Sequence, residues 1–131
     1  MSILISGKSS YKHIVSFNNL VTIDYVFVEI DEYRTVISNK SKLDTSQLID
    51  FTNQIFSKIT VLPRYVVSES NIKKATELTK DIDFDDIWFI ALSFEYDIPL
   101  ITRDTKLYTG LQKKGFRNII LFDHFLRSFF Q

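Results

Sequence analysis

The chain has no cysteine among its 131 residues, which excludes disulfides and thiolate metal sites but does not identify a compartment. Glycine (3) and proline (2) are scarce, so turn punctuation is sparse. No linker, repeat or low-complexity tract divides the sequence, which reads as a single domain over residues 1–131. Net charge is absent as well: 16 basic residues balance 16 acidic ones. No global field therefore draws nucleic acid, and any such binding has to come from a local patch. No basic segment leads into an apolar stretch at the start, and no apolar run reaches the ~18 residues a membrane helix needs. The expectation is a cytoplasmic protein with no membrane association. His13 and His124 stand alone without ligand spacing and take no role. One further absence matters later: no Asp or Glu precedes Asp24.

What is present is apolar. Hydrophobic residues make up 45% and aromatics 15%, with twelve Phe, a composition unlike that of disordered chains. A chain of this length buries roughly two thirds of its unfolded surface, so a Phe-rich core is expected, with Trp88 and most Phe inside it. Tyr11–Leu20 reads as a short helix and Val21–Ile23 as a strand. Apolar residues at Val26, Ile30, Tyr33 and Ile37 give Tyr25 to about Asn39 helical spacing. Asp44-Thr-Ser-Gln47 resembles a capping box for a helix from Ser46 to about Ile59. Thr60–Pro63 reads as a strand, Asn71–Thr79 as a helix, and Asp83–Tyr96 as another. Strand Pro99–Thr102, helix Thr105–Lys114, strand Asn118–Phe122 and a Phe-rich terminal helix complete the pattern. Strands separated by helical segments, without hairpin signals, predict an α/β fold with a parallel sheet.

The acids carry the chemistry. Asp86 opens an apolar helical stretch, and Asp104 closes the strand that ends in Thr102-Arg103-Asp104. In open α/β sheets ligands bind beyond the carboxyl ends of the strands, and clustered carboxylates there suit a hard divalent cation with a phosphate substrate. The plain alternative is capping: Asp83 as N-cap would place Asp86 at the third helical position, and Asp104 directly precedes the next helix. Glu29 adds a third acid. On the helical wheel it lies about 60° from the centre of the apolar stripe, at 100° per residue. A carboxylate at that boundary needs a partner or a cation. Neither Arg34 nor Lys40 shares its face.

The segments Val28-Glu29-Ile-Asp-Glu-Tyr33, Lys80-Asp-Ile-Asp83-Phe-Asp-Asp86-Ile-Trp-Phe-Ile-Ala91-Leu92 and Pro99-Leu-Ile-Thr102-Arg-Asp104-Thr-Lys-Leu107 together resemble the PIN domain family. That family comprises small α/β ribonucleases, including toxins of prokaryotic toxin–antitoxin pairs. The resemblance covers nearly the whole chain and is strongest from Thr79 to Leu107. It implies a Rossmann-like parallel sheet flanked by helices, with an acidic cluster holding Mg²⁺ or Mn²⁺ at the carboxyl edge. By resemblance, Glu29, Asp86 and Asp104 are the metal-holding catalytic acids. Thr102 is the hydroxyl residue supporting Asp104, and Asp83 a secondary acidic position. The cation would activate water for attack on a phosphodiester and stabilise charge on the leaving oxygen. The implied substrate is single-stranded or looped RNA. Arg103, Lys106, Lys113 and Lys114 lie near the acidic edge as phosphate contacts, unless they form only a solvated helix face.

One departure counts. The family usually opens on an apolar strand ending in a metal-binding Asp, and here Ser2-Ile-Leu-Ile-Ser6-Gly resembles the segment that follows it. The expectation is a chain that starts inside the first helix, unless Ile3–Ile5 serves as a shifted strand with Ser6 near the ligand's place. Two readings stay open: a metal-dependent ribonuclease whose native chain begins upstream of Met1, and a catalytically inactive PIN-like module binding RNA or a protein. A doubly wound signalling domain would need an Asp pair after its first strand, which the sequence lacks. An uncovered sheet edge would favour homo-oligomers, and an antitoxin-like partner follows by family analogy alone.

Overall fold

A computed structural model describes residues 20–40, 44–82 and 86–127. The helix expected at Tyr11–Leu20 falls outside them except for Leu20, as do Ile3–Ile5, Ser6 and Asp83. The chain forms two compact units, Met1–Arg64 and Tyr65–Gln131. Each contains a two-stranded parallel ladder with helices between or around its strands. The expected α/β class with parallel strands flanked by helices is what the structure shows.

In the first unit, strand β1 (Val21–Ile23) pairs in parallel with β2 (Thr60–Leu62), in the register Val21 to Thr60 and Ile23 to Leu62. Parallel neighbours cannot be joined by a tight hairpin. Helices α1 (Tyr25–Lys40) and α2 (Thr45–Phe56) make the crossover. The predicted capping box at the head of α2 is present and reciprocal. Gln47 N–H donates to Asp44 Oδ1 at 2.8 Å and Asp44 N–H to Gln47 Oε1 at 3.2 Å, satisfying donors that a bare helix start would leave open. Ile23, Val26 and Ile59 are buried here, and the Phe27 and Phe56 rings meet at 5.3 Å.

The second unit begins with a single 3₁₀ turn at Arg64–Val66, which straddles the boundary, and then helix α3 (Glu69–Thr79). Its N-cap is Ser68, whose hydroxyl accepts from Asn71 N–H. The helix therefore starts two residues earlier than the apolar spacing suggests. Helix α4 (Ile87–Tyr96) packs along α3. Four consecutive residues, Ile90 to Ser93, are buried; at 100° per residue they sweep the whole circumference, as in an interior helix. The two buried hydroxyls are satisfied locally. Thr79 Oγ1 donates to Ala75 O at 2.9 Å, and Ser93 Oγ donates to Ile98 O.

Strand β3 (Leu100–Thr102) pairs in parallel with β4 (Ile119–Leu121), and helix α5 (Thr105–Lys113) is the crossover. Gly115 ends α5 at φ 91°, a left-handed backbone that costs glycine nothing. Gly115 N–H bonds Gln112 O and Phe116 N–H bonds Leu111 O, the paired pattern that satisfies a helix's last carbonyls. Helix α6 (Phe122–Arg127) follows directly. Ile90, Leu107, Leu111, Ile119 and Phe122 form the core. Among the described residues no helix is long and apolar enough to cross a membrane.

Candidate functional site

The turn after β3 is built locally. Thr102, the last strand residue, is half-buried, and its Oγ1 accepts from Asp104 N–H at 3.0 Å. Asp104 has extended backbone (φ −81°, ψ 100°) and caps α5, with Oδ1 accepting from Leu107 N–H at 3.0 Å. Thr102 thus supports Asp104 by holding its backbone, while the helix's own first turn holds one carboxylate oxygen. The carboxyl end of a parallel strand therefore presents an exposed acid whose orientation is fixed at both backbone and side chain.

The described part of helix α4 runs from Ile87. Asp86, immediately before it, has helical backbone (φ −89°, ψ −3°), and its carboxylate makes no capping bond there. The expected cap, Asp83, lies outside the described residues. Asp86 is half-buried. Glu29 lies on α1 and is half-buried, as its position on the helical wheel predicts. Asp86 and Asp104 belong to the second unit, Glu29 to the first. Among the described residues no three His, Cys, Asp or Glu side chains are gathered into a metal-holding group.

The cations divide into two kinds. Arg103, Lys106 and Lys113 are exposed around the start and end of α5. Lys114 is engaged: its Nζ donates to Leu78 O at 2.8 Å and to the Asp81 carboxylate. That hydrogen bond is the main cause holding the Asp81 carboxyl below its ordinary 3.8.

Sequence reasoning missed a charged cluster in the first unit. Asp24 follows β1, and its N–H continues the ladder by donating to Leu62 O at 2.8 Å. Arg64, two residues past β2, brings Nε to 2.9 Å from Asp24 Oδ1 and its guanidinium to 5.9 Å from the Tyr25 ring centre. Asp24 Oδ1 is nevertheless without a well-angled hydrogen bond, so the pair is a charge contact and not a directed bond. The signal was there in principle: parallel register places the residues after Ile23 and Leu62 side by side.

The donors proposed for a cation are all carboxylates. Oxygen-only donors fit hard Mg²⁺ or Mn²⁺ and not softer metals. In α/β proteins with parallel strands, ligands bind beyond the carboxyl ends of the strands, and Asp104, heading the helix that leaves β3, stands at such an end. The model of the PIN domain family matches residues 1–122. The chain belongs to the PIN domain family. No curated protein and no solved structure matches it. PIN domains are generally nucleases that use divalent metal ions and bind RNA, and that general character is what membership establishes.

Proposed function

We propose that this chain is a Mg²⁺- or Mn²⁺-dependent endoribonuclease in which Glu29, Asp86 and Asp104 hold the cation. The observation carrying the proposal is the Thr102–Asp104 turn, which fixes an exposed carboxylate at a strand's carboxyl end. Asp86, immediately before α4 in the same unit, is assigned by the resemblance. When bound, the cation supplies Lewis-acid activation of water and of the phosphate. The chain's own residues do the rest. Asp104 keeps one oxygen on Leu107 N–H, so its other oxygen is the one that would hold a cation. Arg103, Lys106 and Lys113, exposed beside the turn or at the far end of α5, contact RNA phosphates. Lys114 is already held by Asp81 and Leu78. Asp83 contributes a secondary acid by family position. A toxin role with an antitoxin-like partner, a cytoplasmic setting and homo-oligomers belong to the proposal and rest on the resemblance alone.

The test is incubation of the protein with single-stranded RNA and Mn²⁺, with and without chelator. Cleavage that chelator stops and Mn²⁺ restores is the expected result; chelator-resistant cleavage contradicts the metal role. The second reading is an inactive module binding RNA or a protein. RNA retained without cleavage at any Mn²⁺ concentration would select it.

A further inference from the structure

Helix α5 does two jobs at its two ends. Its N-cap is Asp104. Its far half grips the segment that runs from α3 toward Asp86. Lys114, one residue past the helix, bonds both the Asp81 carboxylate and Leu78 O. Leu78 O is one of the last four carbonyls of α3, which lack intrahelical partners, and a cation at a helix C-terminus is favoured by the dipole. A surface ion pair alone is worth little, but a backbone carbonyl as second acceptor fixes where the ammonium sits. The second contact is steric. A Cβ added at Gly110 would meet Ile82 Cδ1 at 2.8 Å, closer than carbon atoms approach, so the glycine opens a notch that Ile82 fills. Ile82 N–H also closes a turn onto Thr79 O at 2.9 Å. Ile82 and Asp86 are four positions apart in the sequence, and α5 is about 14 Å long at 1.5 Å per residue.

We propose that Lys114 and Gly110 are positioning residues: they hold the Asp81–Ile82 segment on α5 and thereby set Asp86 relative to the helix that Asp104 heads. Lys114 then acts on metal affinity through Asp86 and not as a phosphate contact. The consequence for metal rests on the nuclease reading above; the anchoring itself does not. Lys114 bonds Asp81 and Leu78 O, several positions from Asp86, so its effect is expected at the lower end of the roughly 10–100-fold range known for groups that bond a metal ligand directly.

The experiment compares wild type with Lys114→Met, Asp81→Asn, Gly110→Ala and Gly110→Ala combined with Ile82→Val. Three readouts are taken: Mn²⁺ affinity by calorimetry, RNA affinity without divalent cation, and amide exchange at Lys80–Ile82 and Asp86–Trp88. Anchoring predicts that Lys114→Met and Asp81→Asn both speed exchange at these amides, weaken Mn²⁺ about 10-fold and leave RNA affinity unchanged. Gly110→Ala shifts Mn²⁺ affinity the same way by less, and Ile82→Val, which removes the clashing methyl, restores it. A phosphate-contact role predicts opposite signs: Lys114→Met weakens RNA binding and Asp81→Asn, by releasing Lys114, tightens it. That pattern, or unchanged exchange in Lys114→Met, overturns the proposal. Faster exchange in a protein whose wild type takes no Mn²⁺ would support the anchor while removing the nuclease reading.

Discussion

The two units solve the same problem at a strand's carboxyl end in opposite ways. In the first, the acid after β1 is Asp24, and the residue two past β2 is Arg64, 2.9 Å away. That edge neutralises itself. In the second, the acid after β3 is Asp104, held by Leu107 N–H and, through its backbone, by the Thr102 hydroxyl. Among the described residues no ion pair involves Asp104. A guanidinium beside a carboxylate offsets its charge locally, whereas neutral backbone donors do not, and a carboxylate without a neighbouring cation is the one that attracts a metal ion. One frame thus yields a structural ion pair in one unit and a candidate ligand in the other. The difference is which residue the neighbouring element supplies.

Breaking the second unit should have the largest effect. Leu111 is fully buried on α5, and Leu111→Ala should cost about 2–5 kcal/mol, read as a shift in urea midpoint. Next come the acids. Asp86→Asn or Glu29→Gln should reduce Mn²⁺-dependent cleavage by roughly 100-fold or more, since even outer-shell partners cost up to that, with the urea midpoint nearly unchanged. Asp104→Ala should lower stability by about 1 kcal/mol through the lost cap, whereas Asp104→Asn should not, because Asn caps as well as Asp.

A pH comparison probes how the second unit's helices are tied. Glu95 on α4 accepts from Ser68 N–H and Asn71 Nδ2, both at 2.8 Å. These bonds, Ser68's first, lower its carboxyl below the ordinary 4.5. A carboxyl lowered in the folded state binds its proton more readily when unfolded. Its contribution is therefore complete above 4.5 and is lost as pH falls through the lower folded value. Melting curves of wild type and Glu95→Gln should converge as the pH drops below that range; a constant gap would contradict the assignment. The smallest effect belongs to the first unit. Arg64 and Asp24 are both partly exposed, and Arg64→Met should cost about 0.2–1 kcal/mol, with no change in Mn²⁺ affinity.

What was legible in the sequence was local. The Asp44–Gln47 capping box, the Thr102–Asp104 turn and all four described strands follow from residues within a few positions of one another, and strand limits shift by a residue or two at most. Membership of the PIN family was legible because three spaced motifs coincide. The start of α3 was missed because Ser68 sits before the apolar spacing begins. Two ties were out of reach for a different reason. Asp81 and Lys114 are 33 residues apart, and Asp24 meets Arg64 only through the parallel register. Charges paired across such distances look like solvated surface when read along the chain. Lys114 did so among Arg103, Lys106 and Lys113.

The most direct test of the central claim is the cleavage rate of Asp104→Asn on single-stranded RNA in Mn²⁺, measured beside its melting temperature. The account predicts that cleavage falls by roughly 100-fold or more while the melting temperature holds, because the cap survives and the charge does not. Cleavage at the wild-type rate would contradict it, and Asp104 would then be a helix cap and nothing more.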